Sequence, residues 1–147
     1  MRESLLLLTV AAGLVLPAPL SADEKAAGHA GAWFKVAMTT EDRYSRDEKT
    51  VFSPEASAVY AVYRVVATGP VKVRAIFWAD AAEGLGEKTK LVEKFVSISG
   101  KGEFMGSFKA PKPANGWPVG AYRVDLFIGD ELSKTLLFKV VKSPGSP

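Results

Sequence analysis

From residue 33 onward the apolar residues recur at every second position in short runs, and no stretch keeps a helical period. A strand sends successive side chains to opposite faces, so a period-two run buries one face of a sheet and leaves the other outward. That pattern restricts the folded region to sheets packed face to face or closed into a barrel. The clearest case is GAYRVDLFIGDELSKTLLFKV, residues 120–140. Tyr122, Val124, Leu126 and Ile128 share one face, with Arg123 and Asp125 on the other. After a polar corner around GDE, Leu136, Phe138 and Val140 face in while Thr135 and Lys139 face out.

Seven such runs are present: WFKVAM (33–38), AVYAVYRVV (58–66), VKVRAIFWA (71–79), LVEKFVSIS (91–99), EFMGSFKA (103–110), and the segments 120–128 and 132–141. In the first, alternation groups Phe34, Val36 and Met38 on one face. Polar, Gly-rich or Pro-rich segments separate the runs, among them TTEDRYSRDEKT, the ATGP turn, the loop DAAEGLGEKTK and the proline-bounded crossing PKPANGWPVG. GKG, between the runs 91–99 and 103–110, reads as a hairpin turn. The expected architecture is all-β: a single seven-stranded antiparallel sandwich over residues 33–141, with a disordered tail at 142–147. A chain of 147 residues suits one domain with a real core.

The N-terminus follows a different rule. Arg2 precedes an apolar run from Leu5 to Leu16, and Pro17 and Pro19 end it. The run is shorter than the ~20 residues a membrane-spanning helix needs, and it suits the core of a signal peptide. Cleavage is expected after Ala22, leaving residues 23–32 as a flexible leader and no stable membrane span. The expected location is therefore periplasmic or extracellular. No Cys follows the run, so a lipid anchor of the lipoprotein kind is not expected.

Composition narrows the chemistry. With no Cys, the chain has neither disulfides nor thiolates. Its one His, His29, falls in the leader, so neither a His-based triad nor a zinc or copper site is expected in the folded region. Net charge is +3, but Lys and Arg are dispersed among acids, unlike the dense basic stripe of a nucleic-acid binder. Glu41, Asp42, Asp47 and Glu48 alternate with Arg43, Arg46 and Lys49, and read as a self-paired solvated loop rather than a calcium loop. Gly84-Leu85-Gly86 precedes no helix and does not form a phosphate loop. No catalytic residue, metal or cofactor is expected, and the reading is that of a non-enzyme.

The stretch Trp117-Pro-Val-Gly-Ala-Tyr-Arg-Val124, followed by a hairpin ending TLLFKV, resembles the last two strands of immunoglobulin-like and fibronectin-type domains. The stand-alone versions in exported bacterial proteins are especially similar. VFSPEASAVYAVYRV likewise looks like the entry into an early core strand of such a domain. The resemblance implies that Tyr122 is a corner tyrosine whose hydroxyl bonds back to the preceding connection. It implies no ligand, because this architecture carries many functions.

If Val71, Val73, Ala75 and Phe77 supply the core, then Lys72, Arg74, Ile76 and Trp78 point out. In an immunoglobulin-like arrangement the neighbouring strand presents Arg123, Asp125 and Phe127 on the same side, and the last strand adds Leu137 and Val141. The candidate binding patch is Arg74, Ile76, Trp78, Arg123, Phe127 and Leu137. A one-residue register change would instead bury Ile76 and Trp78 and expose Phe77. The expected function is binding of another envelope protein or modulation of an assembly. A carbohydrate- or lipid-binding module is the alternative.

Overall fold

The computed structural model describes residues 31–142. The predicted signal peptide at 1–22, His29 and residues 143–147 of the tail lie outside the described residues. Eight strands follow in order: β1 Ala32–Thr40, β2 Val51–Phe52, β3 Ala58–Thr68, β4 Val71–Ala82, β5 Thr89–Ile98, β6 Lys101–Pro111, β7 Gly120–Ile128 and β8 Glu131–Val140. No helix occurs among the described residues. The strands form a three-stranded sheet, β1-β3-β6, and a five-stranded sheet, β2-β8-β7-β4-β5.

Three expectations are corrected. There are eight strands rather than seven, because Val51–Phe52 pairs in parallel with Lys139 and Val140 and makes the larger sheet mixed. Two residues are too few for alternation to reveal. The GKG segment does not close a hairpin: β5 pairs with β4, β6 pairs with β3, and the short link between them passes from one sheet to the other. In β1, the register shifts between Phe34 and Val36, so a bulge at Lys35 separates residues that strict alternation groups together. Phe34 is buried, whereas Val36 and Met38 lie opposite Arg64 and Val62 on the outer face.

The core lies between β3 and β4. Val59, Ala61, Tyr63, Val65 and Ala67 face Val73, Ala75, Phe77 and Ala79, and all are buried. Tyr122, Val124, Leu126 and Ile128 join them from β7, as the alternation predicts. One end is closed by aromatic rings. Tyr122 stacks on Phe138 at 5.1 Å, and Trp117 meets the two edge-on at 5.7 and 6.3 Å. Trp117 Nε1–H donates to the Ala56 carbonyl at 2.9 Å, so the ring is buried with its polar group satisfied. The Tyr122 hydroxyl donates to the Pro118 carbonyl, in the connection that precedes its strand.

Two predictions follow from this packing. Phe77→Ala is expected to lose about 3–5 kcal/mol, and Trp78→Ser, on the opposite face, about 1–2 kcal/mol, as read by urea unfolding; the reverse ranking would mean that β4 faces the other way. Burial raises the Tyr122 hydroxyl from 10.0 to about 12. The native state then holds that proton more tightly than the unfolded chain, so its contribution is complete below pH 10 and is lost as pH climbs toward 12. Tyr122→Phe is expected to lose about 1–2 kcal/mol at neutral pH by orphaning the Pro118 carbonyl, and to lack this part of the alkaline loss.

Candidate functional site

On the outer face of the five-stranded sheet, β4 presents Lys72, Arg74, Ile76 and Trp78, since the alternating positions between them are buried. Across the β4–β7 ladder, Arg74 lies opposite Phe127, Ile76 opposite Asp125 and Trp78 opposite Arg123. Arg123 in turn lies opposite Leu137 on β8. The six residues singled out in the sequence therefore share one face of three adjacent strands. Ile76, expected to be exposed, is a correction: it points outward but is only 8% exposed, because the long side chains around it close over it.

The charges of this face are ordered. The Arg74 guanidinium lies 4.4 Å from the Phe127 ring centre and 3.0 Å from the Glu93 carboxylate. Arg123 lies 5.4 Å over the Trp78 ring and pairs with Asp80 at 3.2 Å and Asp125 at 3.3 Å. Thr135 Oγ1 donates to Asp125 at 3.0 Å, and Lys90 reaches Glu93 at 2.8 Å. Hydrogen bonds from Lys90 and then Arg74 hold the Glu93 carboxyl below its ordinary range. Trp78 is half-buried under this lattice, with its Nε1–H enclosed and without an acceptor among the described residues.

The apolar residues left open stand around the ordered centre. Leu137 is 67% exposed and Phe95, on β5, is 62% exposed. Leu132 is also exposed and lies opposite Phe127. Sequence reasoning missed Phe95 and Leu132. Phe95 lies opposite Arg74, which places it on the same face, and Lys72 Nζ sits 4.8 Å from its ring centre. Only the pairing partner of Arg74 reveals this; the LVEKFVSIS run does not alternate cleanly.

The three-stranded sheet has a different outer face. Val36, Met38, Val62 and Met105 line a groove of about 430 Å³. The connection after β1 forms one wall with Arg43, Tyr44 and Arg46, and Arg64 contributes from β3. That connection is tied down locally. Thr39 Oγ1 donates to the Lys49 carbonyl at 2.7 Å, Lys49 N–H donates back to the Thr39 carbonyl at 2.8 Å, and Tyr44 N–H donates to Asp42 Oδ1 at 2.8 Å. The predicted self-pairing of this loop is partial: Lys49 pairs with Glu41 at 3.2 Å. Among the described residues neither Arg43 nor Arg46 has a carboxylate partner. Trp33 is exposed on β1, and Trp117 is the buried tryptophan that closes an end of the sandwich.

No family model matches the chain, and no curated protein matches it. Solved structures share its fold. An alkylpurine DNA glycosylase, AlkC, of Pseudomonas fluorescens, bound to DNA containing an abasic site analogue, is similar with a TM-score of 0.54 at 12% identity, over 78% of this chain and 31% of the glycosylase. The C-terminal domain of wzt is similar with a TM-score of 0.52 at 13% identity, over 79% of this chain and 77% of that one. A β-glucosidase, EmGH1, of Erythrobacter marinus gives 0.51 at 11% identity, over 75% of this chain and 15% of the enzyme. At such identities the likeness is one of fold.

The outer lattice carries its own expectation. Asp125 is buried and holds both Arg123 and Thr135. Asp125→Ala is expected to lose about 1–3 kcal/mol by leaving a half-buried guanidinium short of a partner, measured by urea unfolding. Lys90→Ala, at the exposed rim, should shift the midpoint much less. Equal effects would show that the lattice carries no order beyond ordinary surface pairs.

Proposed function

We propose that this chain is an exported, non-catalytic immunoglobulin-like β-sandwich that binds another envelope protein through the outer face of its five-stranded sheet. Support for the fold reading is topological. The order β8-β7-β4-β5 corresponds to G-F-C-C′ of a variable-type domain, with β1-β3-β6 as A-B-E. Tyr122 bonds back to the preceding connection as a corner tyrosine does. The similar solved chains differ in activity, so the fold does not select one. The export reading rests on the N-terminal pattern alone.

The observation that carries the binding reading is the preordered arginine–aromatic centre. Arg74 and Arg123 are each fixed by an aromatic face and a carboxylate, with Leu137, Leu132 and Phe95 open beside them. Arg and aromatic residues dominate the energy of protein interfaces, and side chains already ordered lose little entropy on association. A partner offering an apolar ridge for the leucines and carbonyl or carboxylate acceptors for the arginine edges would fit this face.

The test is photo-crosslinking in the native host, with the full-length chain carrying a photoreactive residue at position 137 or, on the opposite sheet, at 105. A discrete protein adduct at 137, absent at 105 and abolished by Leu132→Glu, is expected. No adduct from 137 would overturn the reading. N-terminal sequencing of the chain recovered from the envelope should begin at Asp23; a cytoplasmic chain that retains Met1 would overturn export.

A further inference from the structure

The groove on the three-stranded sheet is independent of the face just described, and its chemistry is different. Its floor is apolar because of the bulge at Lys35. Without the extra residue, Val36 and Met38 would continue the inward set of Phe34; with it, they join Val62 and Met105 outside. Four apolar side chains on an outer sheet face lack the usual polar cover. Met38 and Met105 are unbranched and adapt to irregular shapes. Met105 is 66% exposed, and Tyr44, at the wall, is 83% exposed.

The groove's charges are all of one sign. Arg43, Arg46 and Arg64 contribute to the lining, and no carboxylate does. Arg64 is partly neutralised, since its Nε lies 3.1 Å from Glu103, which Lys35 also reaches at 3.3 Å. Arg43 lies 5.8 Å from the Tyr44 ring centre, and Arg46 pairs with no carboxylate among the described residues. Two uncompensated guanidiniums thus stand at one edge of an apolar trough. Guanidinium forks match carboxylate oxygens bidentately. A volume of about 430 Å³ falls in the range of small-ligand sites and well below a protein interface. The connection that carries both arginines is held by the Thr39–Lys49 pair of hydrogen bonds, so the wall is preformed.

We infer that this groove binds a carboxylate-headed apolar chain, a free fatty acid in chemical class, with its tail on Val36, Met38, Val62 and Met105 and its head at Arg43 and Arg46. The inference does not rest on the protein-binding reading, which concerns the opposite sheet. The experiment is calorimetric titration of the full-length chain with dodecanoate, with dodecanol as the neutral-headed match and phosphatidylglycerol vesicles as a third probe. Dodecanoate is expected to saturate below its micelle concentration, with dodecanol at least about tenfold weaker, the loss expected for a charge-assisted contact. Arg43→Gln combined with Arg46→Gln should weaken dodecanoate by a similar factor while leaving the unfolding midpoint in place, and Met105→Glu should abolish binding.

Failure of dodecanoate to saturate would overturn the inference. So would equal binding of dodecanol, or an unchanged affinity in the double arginine variant. Binding to vesicles with none to free dodecanoate would make the face a membrane contact instead. A dimer in sedimentation that Met105→Glu dissolves would make the occupant a second copy of the chain.

Discussion

Four side chains of β4 set the orientation of nearly everything else. Val73, Ala75, Phe77 and Ala79 have no solvent exposure and press on β3 across the sandwich. Burying even one ring of this size is worth about 1.5–3 kcal/mol, and a slip of one residue would turn all four outward. Once β4 is fixed, its ladders fix β5 on one side and β7 on the other. The positions of Arg74 and Trp78, and of Phe127 and Arg123 opposite them, then follow from pairing rather than from any local preference.

The aromatic closure at Trp117, Tyr122 and Phe138 does a second job. β6 and β7 belong to different sheets, and the chain between them must cross the end of the sandwich. Trp117 is held there by its indole bond to Ala56 and by a backbone bond to the Pro54 carbonyl at 2.9 Å. Gly116, at φ +85°, makes the turn that lets the backbone approach Pro54; a Cβ there would lie 3.1 Å from the Pro54 oxygen. The crossing, the segment after β2 and the start of β7 are thereby locked together, which keeps the two sheets in one relative position.

How far the sequence could be read depended on whether a residue obeyed period two. Strands β4, β7 and β8 alternate through most of their length, with register shifts at Asp80 and Ser133. Their core and outer sets were legible, including the six residues of the five-stranded face; the shift at Ser133 is what turns Leu132 outward. Alternation assigns a direction but not a depth, which is why Ile76 was placed on the right face and given the wrong exposure. β1 breaks the rule by one residue at Lys35, and a local pattern cannot report a bulge whose cause is the partner strand. The groove floor was invisible for that reason. β2 is two residues long and exists only because β8 offers it an edge. Gly100 and Gly102 mark a sharp turn correctly, yet they cannot say whether the chain turns within a sheet or between sheets.

Sheet width explains why the larger face can display open apolar residues without the edge becoming a liability. Five strands face three, so β5 extends past the cover of the smaller sheet. Lys94 lies opposite Ala75, on the inner side of the sheet, yet it is exposed; Val96, opposite Val73, is partly exposed as well. A charge pointing inward on an edge strand discourages a second strand from docking, because pairing would bury it. With Lys94 inside and Lys90 paired to Glu93 outside, β5 resists edge-to-edge association while Phe95 stays open on the face. Docking of a further strand is thereby disfavoured at the backbone edge of this sheet, while the ordered arginines stand on its flat outer surface.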